Sequence, residues 1–344
     1  MPLRDRYSQG LHEIADGVWA WLQPDGSWGL SNAGLLTDGE ASMLVDTLFD
    51  VPLTQTMLKA MRDATPAARD LDIVVNTHAN GDHCWGNQLC TGAEIVASTK
   101  AAEEMQRLQP ALVAKLAAVS RLAVKAGPVG RAAGRLLSRF GVKQLGAVLE
   151  ASDLLERAFG RFDFGSITLT PPTRTFDEHL QLTVGDTAVE LYEVGPCHTT
   201  GDVIVHVPSR DVVFTGDILF VEAHPIVWEG PVSRWIEACD RILELEPAHI
   251  VPGHGPLAEP DDVRQVQHYL RYLYEESSKR HAAGMSAQDA AKDISVAEFR
   301  HWGEAERVAV NVRTIYRELD GTTDSEDVME LFGLMAELGR LPSH

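Results

Sequence analysis

Four times along the chain, an apolar strand-like run stops in a loop of small or glycine-containing sequence that carries histidine or aspartate. The first is Leu71, Ile73, Val74 and Val75, followed by Asn76-Thr77-His78-Ala79-Asn80-Gly81-Asp82-His83-Cys84-Trp85-Gly86-Asn87. The others end in Gly195-Pro196-Cys197-His198-Thr199-Thr200-Gly201-Asp202, in Phe214-Thr215-Gly216-Asp217, and in Val251-Pro252-Gly253-His254-Gly255. Short β-branched runs bounded by turn residues read as buried strands, and loops held by a rigid strand are where chemistry is placed. One such ending needs no function, because His and Asp often cap elements. Four in succession imply that the strand ends converge on one site. Imidazoles and carboxylates in that grouping suit a borderline metal such as zinc.

The rest of the chain supplies layers around these strands. Residues 11–50 alternate apolar and polar positions between turn signals such as Pro24-Asp25-Gly26 and Asp38-Gly39, the pattern of a β-meander. A helix is expected at 52–66 and a strand at 93–98. From 101 to 160 the sequence turns helical, with Arg107, Lys115, Arg121, Lys125, Arg131, Arg135, Arg139 and Lys143 and no acidic residue between Met105 and Leu149. Glycines should break this insertion into short helices. It reads as a solvated basic face or as a lid that recruits an anionic or amphipathic substrate. Strands resume at 180–184, 189–192 and 203–214, and a helix is expected at 231–246. Beyond 260 helices dominate, so the domains are drawn at 1–260 and 261–344. Tyr269, Leu270, Tyr272, Leu273 and Tyr274 can pack on the strands or on a second subunit of a homodimer.

A net charge of −20 argues against a nucleic-acid surface, which needs basic stripes for phosphate. No apolar run has the length to span a bilayer or to serve as a signal h-region, so a cytoplasmic protein acting on a small molecule is expected. The four cysteines, Cys84, Cys90, Cys197 and Cys239, lack CxxC spacing and read as buried thiols, even where Cys84 and Cys197 adjoin candidate ligands.

The order THxNGDH, GPCHTTGD, FTGD, VPGHG resembles the metallo-β-lactamase-fold hydrolase superfamily over about residues 12–260. The resemblance implies an α/β protein: an αββα sandwich of two mixed β-sheets flanked by helices, with the metal site at one edge. It implies a first metal site of His78, residue 80 and His198, and a second of Asp82, His83 and His254, with Asp217 reaching both. Asp46 corresponds to a carboxylate that orients a ligand histidine. The departure is Asn80, where the family usually has histidine. An amide is a poor zinc ligand, so one ion, most simply zinc, is expected to be held firmly at the second site. The first site is then weak, empty, or filled by another metal such as iron or manganese.

The activity implied is attack of a metal-activated water on an ester, lactone, thioester or similar electrophile, with His78, Asn80, Asp82 and His198 at the reacting centre. Trp21, Trp28, Trp85 and Trp228 fall near loop ends, where each packs the core or floors an apolar pocket. Two rival readings stay open. His78, His198 and Asp217 form a two-histidine, one-carboxylate set of the kind that holds non-haem Fe(II), as in the superfamily's sulfur dioxygenases. Alternatively, the metal is a structural staple in a non-enzymatic interaction protein.

Overall fold

The computed structural model describes residues 8–107, 109–127, 129, 143–322 and 327–340. Its first sheet has seven strands in chain order: β1 (Gly10–Ala15), β2 (Val18–Leu22), β3 (Ala33–Asp38), β4 (Ala41–Val45), β5 (Ile73–Val75), β6 (Glu94–Ser98) and β7 (Arg174–Phe176). β1 to β4 form the antiparallel meander expected at 11–50, and β4 to β7 are parallel. The second sheet has five strands in the order β12 (His249–Val251), β11 (Val212–Phe214), β10 (Val203–Val207), β9 (Thr187–Glu193) and β8 (His179–Val184). Only the β11–β12 pair is parallel there.

Side-chain alternation sorts the layers. Met43, Val45 and Val75 of the first sheet meet Val203, Val205, Val212, Phe214 and Val251 of the second in one buried cluster. The intervening Leu44 and Val74 point the other way, onto Met57, Leu58 and Met61 of α1 (Val51–Ala64). Ile204, Val213 and Ile250 likewise face outward, onto Trp235 and Ile242 of α7 (Val232–Glu244). Period-two alternation thus yields helix, sheet, sheet, helix, with the central strands burying both faces and β8 only one. Asp50 caps α1 by accepting from Leu53 N at 2.9 Å, and Pro52 fits the first turn.

The insertion contains α3 (Thr99–Glu104), α4 (Pro110–Ala126), α5 (Lys143–Glu150) and α6 (Ser152–Phe159). Arg131, Arg135 and Arg139 lie outside the described residues. At the C-terminal end follow α8 (Pro260–Ala282), α9 (Ala287–Asp293), α10 (Val308–Asp320) and α11 (Val328–Leu338). Tyr269, Leu270 and Leu273 of α8 are buried in the core that Trp235, Val310, Ile315 and Phe332 share, with Tyr272 and Tyr274 at its margin. No helix among the described residues is long and apolar enough to cross a membrane. All four cysteines are buried and free; Cys84 Sγ meets the Ala79 carbonyl and Cys197 Sγ that of Val194.

His224, fully buried beside the rings of Tyr269 and Trp302, has no hydrogen-bond partner on either ring nitrogen. Burial, then Arg307 nearby, pushes its pKa down from 6.5 to about 3. With the folded value depressed, the unfolded chain binds the extra proton first, so stability is lost as pH falls below about 6.5. His224→Leu should flatten the fall of Tm between pH 7 and pH 4, read by thermal melts of both proteins in matched buffers.

Candidate metal centre

Parallel neighbours leave a sheet at the same edge, so β4 and β5 of one sheet and β11 and β12 of the other deliver their following loops to one rim. β4 runs into Asp46, β5 into His78 and the one-turn helix α2 (Gly81–Cys84) that carries Asp82 and His83, β11 into Asp217 and β12 into His254. His198 lies on the loop from β9 to β10. The two sheets are stitched there by Val203 N donating to the Thr77 carbonyl at 2.8 Å. His78, His198 and Asp217 form one group whose ligand atoms lie within 4.8 Å of one another, and Asp82, His83 and His254 form a second. Asp217 faces four imidazoles: Oδ1 is 3.1 Å from His83 Nε2, and Oδ2 is 3.2 Å from His198 Nε2, 3.5 Å from His254 Nε2 and 3.7 Å from His78 Nε2. His254 Nε2 is also 3.3 Å from Asp82 Oδ2.

Three rings have their outer nitrogens fixed. His83 Nδ1 donates to Asp46 Oδ2 at 2.9 Å, His198 Nδ1 donates to the Ile226 carbonyl at 2.7 Å, and His78 Nδ1 meets Thr77 Oγ1 at 3.1 Å. Asp46 also accepts from Thr77 N and Thr77 Oγ1, both at 2.7 Å. Its backbone is left-handed, φ 62°, which turns the carboxylate over the end of β5. Sequence reasoning found Asp46 but not Thr77, whose hydroxyl bridges Asp46 and His78.

The unused atoms point inward. His78 Nε2, His83 Nε2 and Asp217 Oδ1 are buried without a hydrogen-bond partner. Buried polar atoms are rarely left so, and nitrogen and carboxylate donors with anchored outer nitrogens are what a divalent cation takes. The donor set therefore fits a metal ion. The protein groups alone show the same tension. Burial opposes charge on Asp217, yet the imidazoles around it, His254 foremost, hold it well below the usual carboxylate range. Burial likewise opposes charge on His83, but Asp217 and Asp46 override it and raise its pKa well above that of free imidazole. His78 is driven well below by burial and by His83, and His198 is lowered by burial.

Asn80 stands beside the first group, its Nδ2 donating to His198 Nε2 at 2.8 Å. With Nδ1 committed to Ile226, that acceptor lone pair is the one His198 would offer a metal.

A cavity of about 370 Å³ opens onto these groups, walled by Trp28, Phe49, Phe159, Phe220, Trp228 and Phe332. Trp28 and Trp228 thus line the pocket. Trp85 is core, stacked on Phe49 at 5.2 Å, and Trp21 is buried under the first sheet. Phe220 lies flat on His254, ring centroids 5.0 Å apart. Phe159 comes from the insertion and Phe332 from α11, so both additions close over the rim of the sandwich. Arg307, buried in the same wall, lies in the stretch beyond 260 that the sequence reads only as helical, and it was not among the expected site residues.

A model of the metallo-beta-lactamase superfamily matches residues 26–254, a span holding every one of these histidines and aspartates. The chain belongs to that superfamily. The superfamily match takes in both sheets except β1 and β2. Two curated relatives match more narrowly. A metallo-beta-lactamase type 2 of Bacteroides fragilis is 23% identical over 116 residues, 32% of this chain and 47% of that protein. The 2,4-dinitroanisole O-demethylase subunit alpha of Nocardioides sp. (strain JS1661) is 31% identical over 86 residues, 24% of this chain and 26% of that protein. The chain thus spans less than half the length of either. Among solved structures, the stereoselective inverting sec-alkylsulfatase of a Pseudomonas species superposes with a TM-score of 0.62 at 16% identity, covering 90% of this chain and 50% of that one. At that identity the likeness shows the fold alone, though it reaches well beyond the sandwich.

Proposed function

We propose that this metallo-beta-lactamase superfamily member is a metal-dependent hydrolase of an ester, lactone or thioester with an apolar body. The observation that supports it is an aromatic-walled cavity also lined by Asp82, His198, Asp217 and His254, where Asp217 Oδ1 is left without a hydrogen-bond partner. Asp82, His83 and His254, with Asp217 shared, would hold one zinc ion firmly, and Asp46 would orient His83. Zinc bound there supplies a Lewis acid and lowers the pKa of water from ~16 toward ~7. His78 and His198, kept neutral by burial, are placed to take and return protons. Asn80 is a side-chain donor for developing negative charge on an oxygen. The aromatic wall holds the apolar body and excludes water. The relatives' names refer to different bonds, so the choice among substrates rests on the cavity. The helices after residue 260 are read as an extension that completes this wall.

The test is metal quantification coupled to a panel of apolar esters, lactones and thioesters. Turnover that chelation removes and zinc restores is expected; a zinc-loaded protein inert to the whole panel would end the proposal. The group His78, His198 and Asp217 supports a second reading, an iron-dependent dioxygenase, for which the purified protein would carry iron and consume oxygen with a persulfide.

The single-ion reading makes its own prediction. Asn80→His removes the amide from His198 Nε2 and adds an imidazole beside it. Metal content after dialysis should rise from about one to about two equivalents per chain. Two tightly held equivalents in the unaltered protein would contradict it.

A further inference from the structure

The cavity wall contains a buried cation that no described carboxylate pairs directly. Arg307 is 1% exposed, yet it forms no ion pair with a described residue. Its Nη1 donates to the His224 carbonyl at 2.8 Å, and its Nε is buried without a partner. The neighbouring Glu306 is turned to Arg157, Oε1 to Nη2 2.6 Å. Glu304 foremost, then Glu306, Asp217 and Asp82 act on Arg307 through space, none of them in an ion pair with it, and imidazoles already match the two aspartates. The guanidinium sits 4.5 Å from the Trp28 ring centroid and 5.2 Å from that of Phe220, the ring stacked on His254.

Burying an unpaired charge is costly, and two ring faces offset only part of that cost. The cavity mouth carries both signs, Glu104 and Glu229 with Arg107 and Arg317, so it selects little. Deeper in, Arg307 does select. A planar fork held in place by two aromatic faces is suited to a compact oxyanion.

We infer that Arg307 is the anion subsite of this cavity. The ligand it fits is an amphipathic anion whose carboxylate or similar oxyanion meets the guanidinium while its apolar body lies on Trp28, Phe159 and Phe332. That this ligand is also the molecule hydrolysed rests on the hydrolase reading above; that it binds does not. A purely structural Arg307, clamping His224 and filling space between rings, would give no preference between an anion and its neutral isostere.

The experiment is calorimetric titration of the zinc-loaded protein with 4-phenylbutanoate and with uncharged 4-phenylbutanamide at pH 7.5. The carboxylate should bind about tenfold or more tighter than the amide, as a charge-assisted pair inside a wall should. Arg307→Gln should bring the two within about twofold while leaving the amide near its original affinity, and Arg307→Lys should fall between. No carboxylate preference in the unaltered protein overturns the inference, whatever the variants do. A preference undiminished in Arg307→Gln also overturns it, because the anion would then be held elsewhere. Should Arg307→Gln not fold, Arg307→Lys decides: several-fold loss of preference supports the subsite, and full retention overturns it. An Arg307-dependent preference in a protein inert to the ester panel would refute the hydrolase and leave the subsite standing. Turnover of neutral and anionic esters alike, with no carboxylate preference, would do the reverse.

Discussion

Asp217→Asn should lower kcat/KM on any substrate the panel identifies by about a thousandfold or more, the scale of several kcal/mol of lost metal-assisted stabilisation. The side chain keeps its shape, so the change is one of charge at the point where four imidazoles converge within 3.1 to 3.7 Å. No other carboxylate in the site approaches more than two of them: Asp46 holds His83 from outside, and Asp82 meets His254. An amide oxygen in place of Asp217 would leave each group of ligands short of its shared anion. Metal content after dialysis should fall with the rate, while far-UV circular dichroism stays unchanged because the apolar layers do not include residue 217. Near-normal turnover with full metal content would show that the rings hold the ion without it.

Much of this centre was legible before any coordinates, for a reason visible in particular residues. Leu44 and Val45, Val74 and Val75, Val213 and Phe214, and Ile250 and Val251 each split between the two faces of their sheet, so the strands announce themselves by short apolar runs. Parallel pairing then forces Asp46, His78, Asp217 and His254 to one edge, and side chains scattered along the sequence become neighbours. The cavity wall was not legible, because its rings come from four separate regions joined by packing and not by pattern. Trp28 and Trp85 both follow turn residues, yet one faces the cavity and the other stacks in the core on Phe49. Nothing in their spacing distinguishes them. Arg307 is the extreme case: a cation flanked by Glu304 and Glu306 does not stand out in the sequence, and it is buried where Trp28, from nearly the other end of the chain, and Phe220 approach it. Asn80 divides evenly. Its departure from the family pattern shows in the sequence, whereas its contact with His198 Nε2 does not.

Gly253→Ala should be nearly as damaging as the loss of Asp217, although residue 253 carries no chemistry of its own. Two other glycines of these loops have a conformational reason: Gly216 and Gly255 sit at φ +51° and +90°, in the region that disfavours side chains. Gly253 is different, for its constraint is space. A Cβ there would stand 2.0 Å from Asp217 Oδ1, 2.7 Å from the Gly216 carbonyl carbon and 2.8 Å from its oxygen. The backbone cannot retreat cheaply, because Gly253 N donates to Gly216 O at 2.8 Å and Asn32 N donates to Gly253 O at 2.7 Å. Asn32 Nδ2 adds bonds to the carbonyls of Pro252 and Gly255 at 2.9 and 2.8 Å, pinning the loop on both sides of residue 253. The carboxylate must therefore yield, and it is the group on which all four imidazoles depend. A displacement of about 1 Å at a reacting centre is enough for about a hundredfold loss of rate, and overpacking a fixed backbone costs about 1–3 kcal/mol of stability. Gly253→Ala should thus show both: a lower Tm and kcat/KM reduced at least about a hundredfold, with metal content partly retained because Asp82, His83 and His254 remain. A variant with unchanged Tm and turnover would mean that the carboxylate does not need the place this loop gives it.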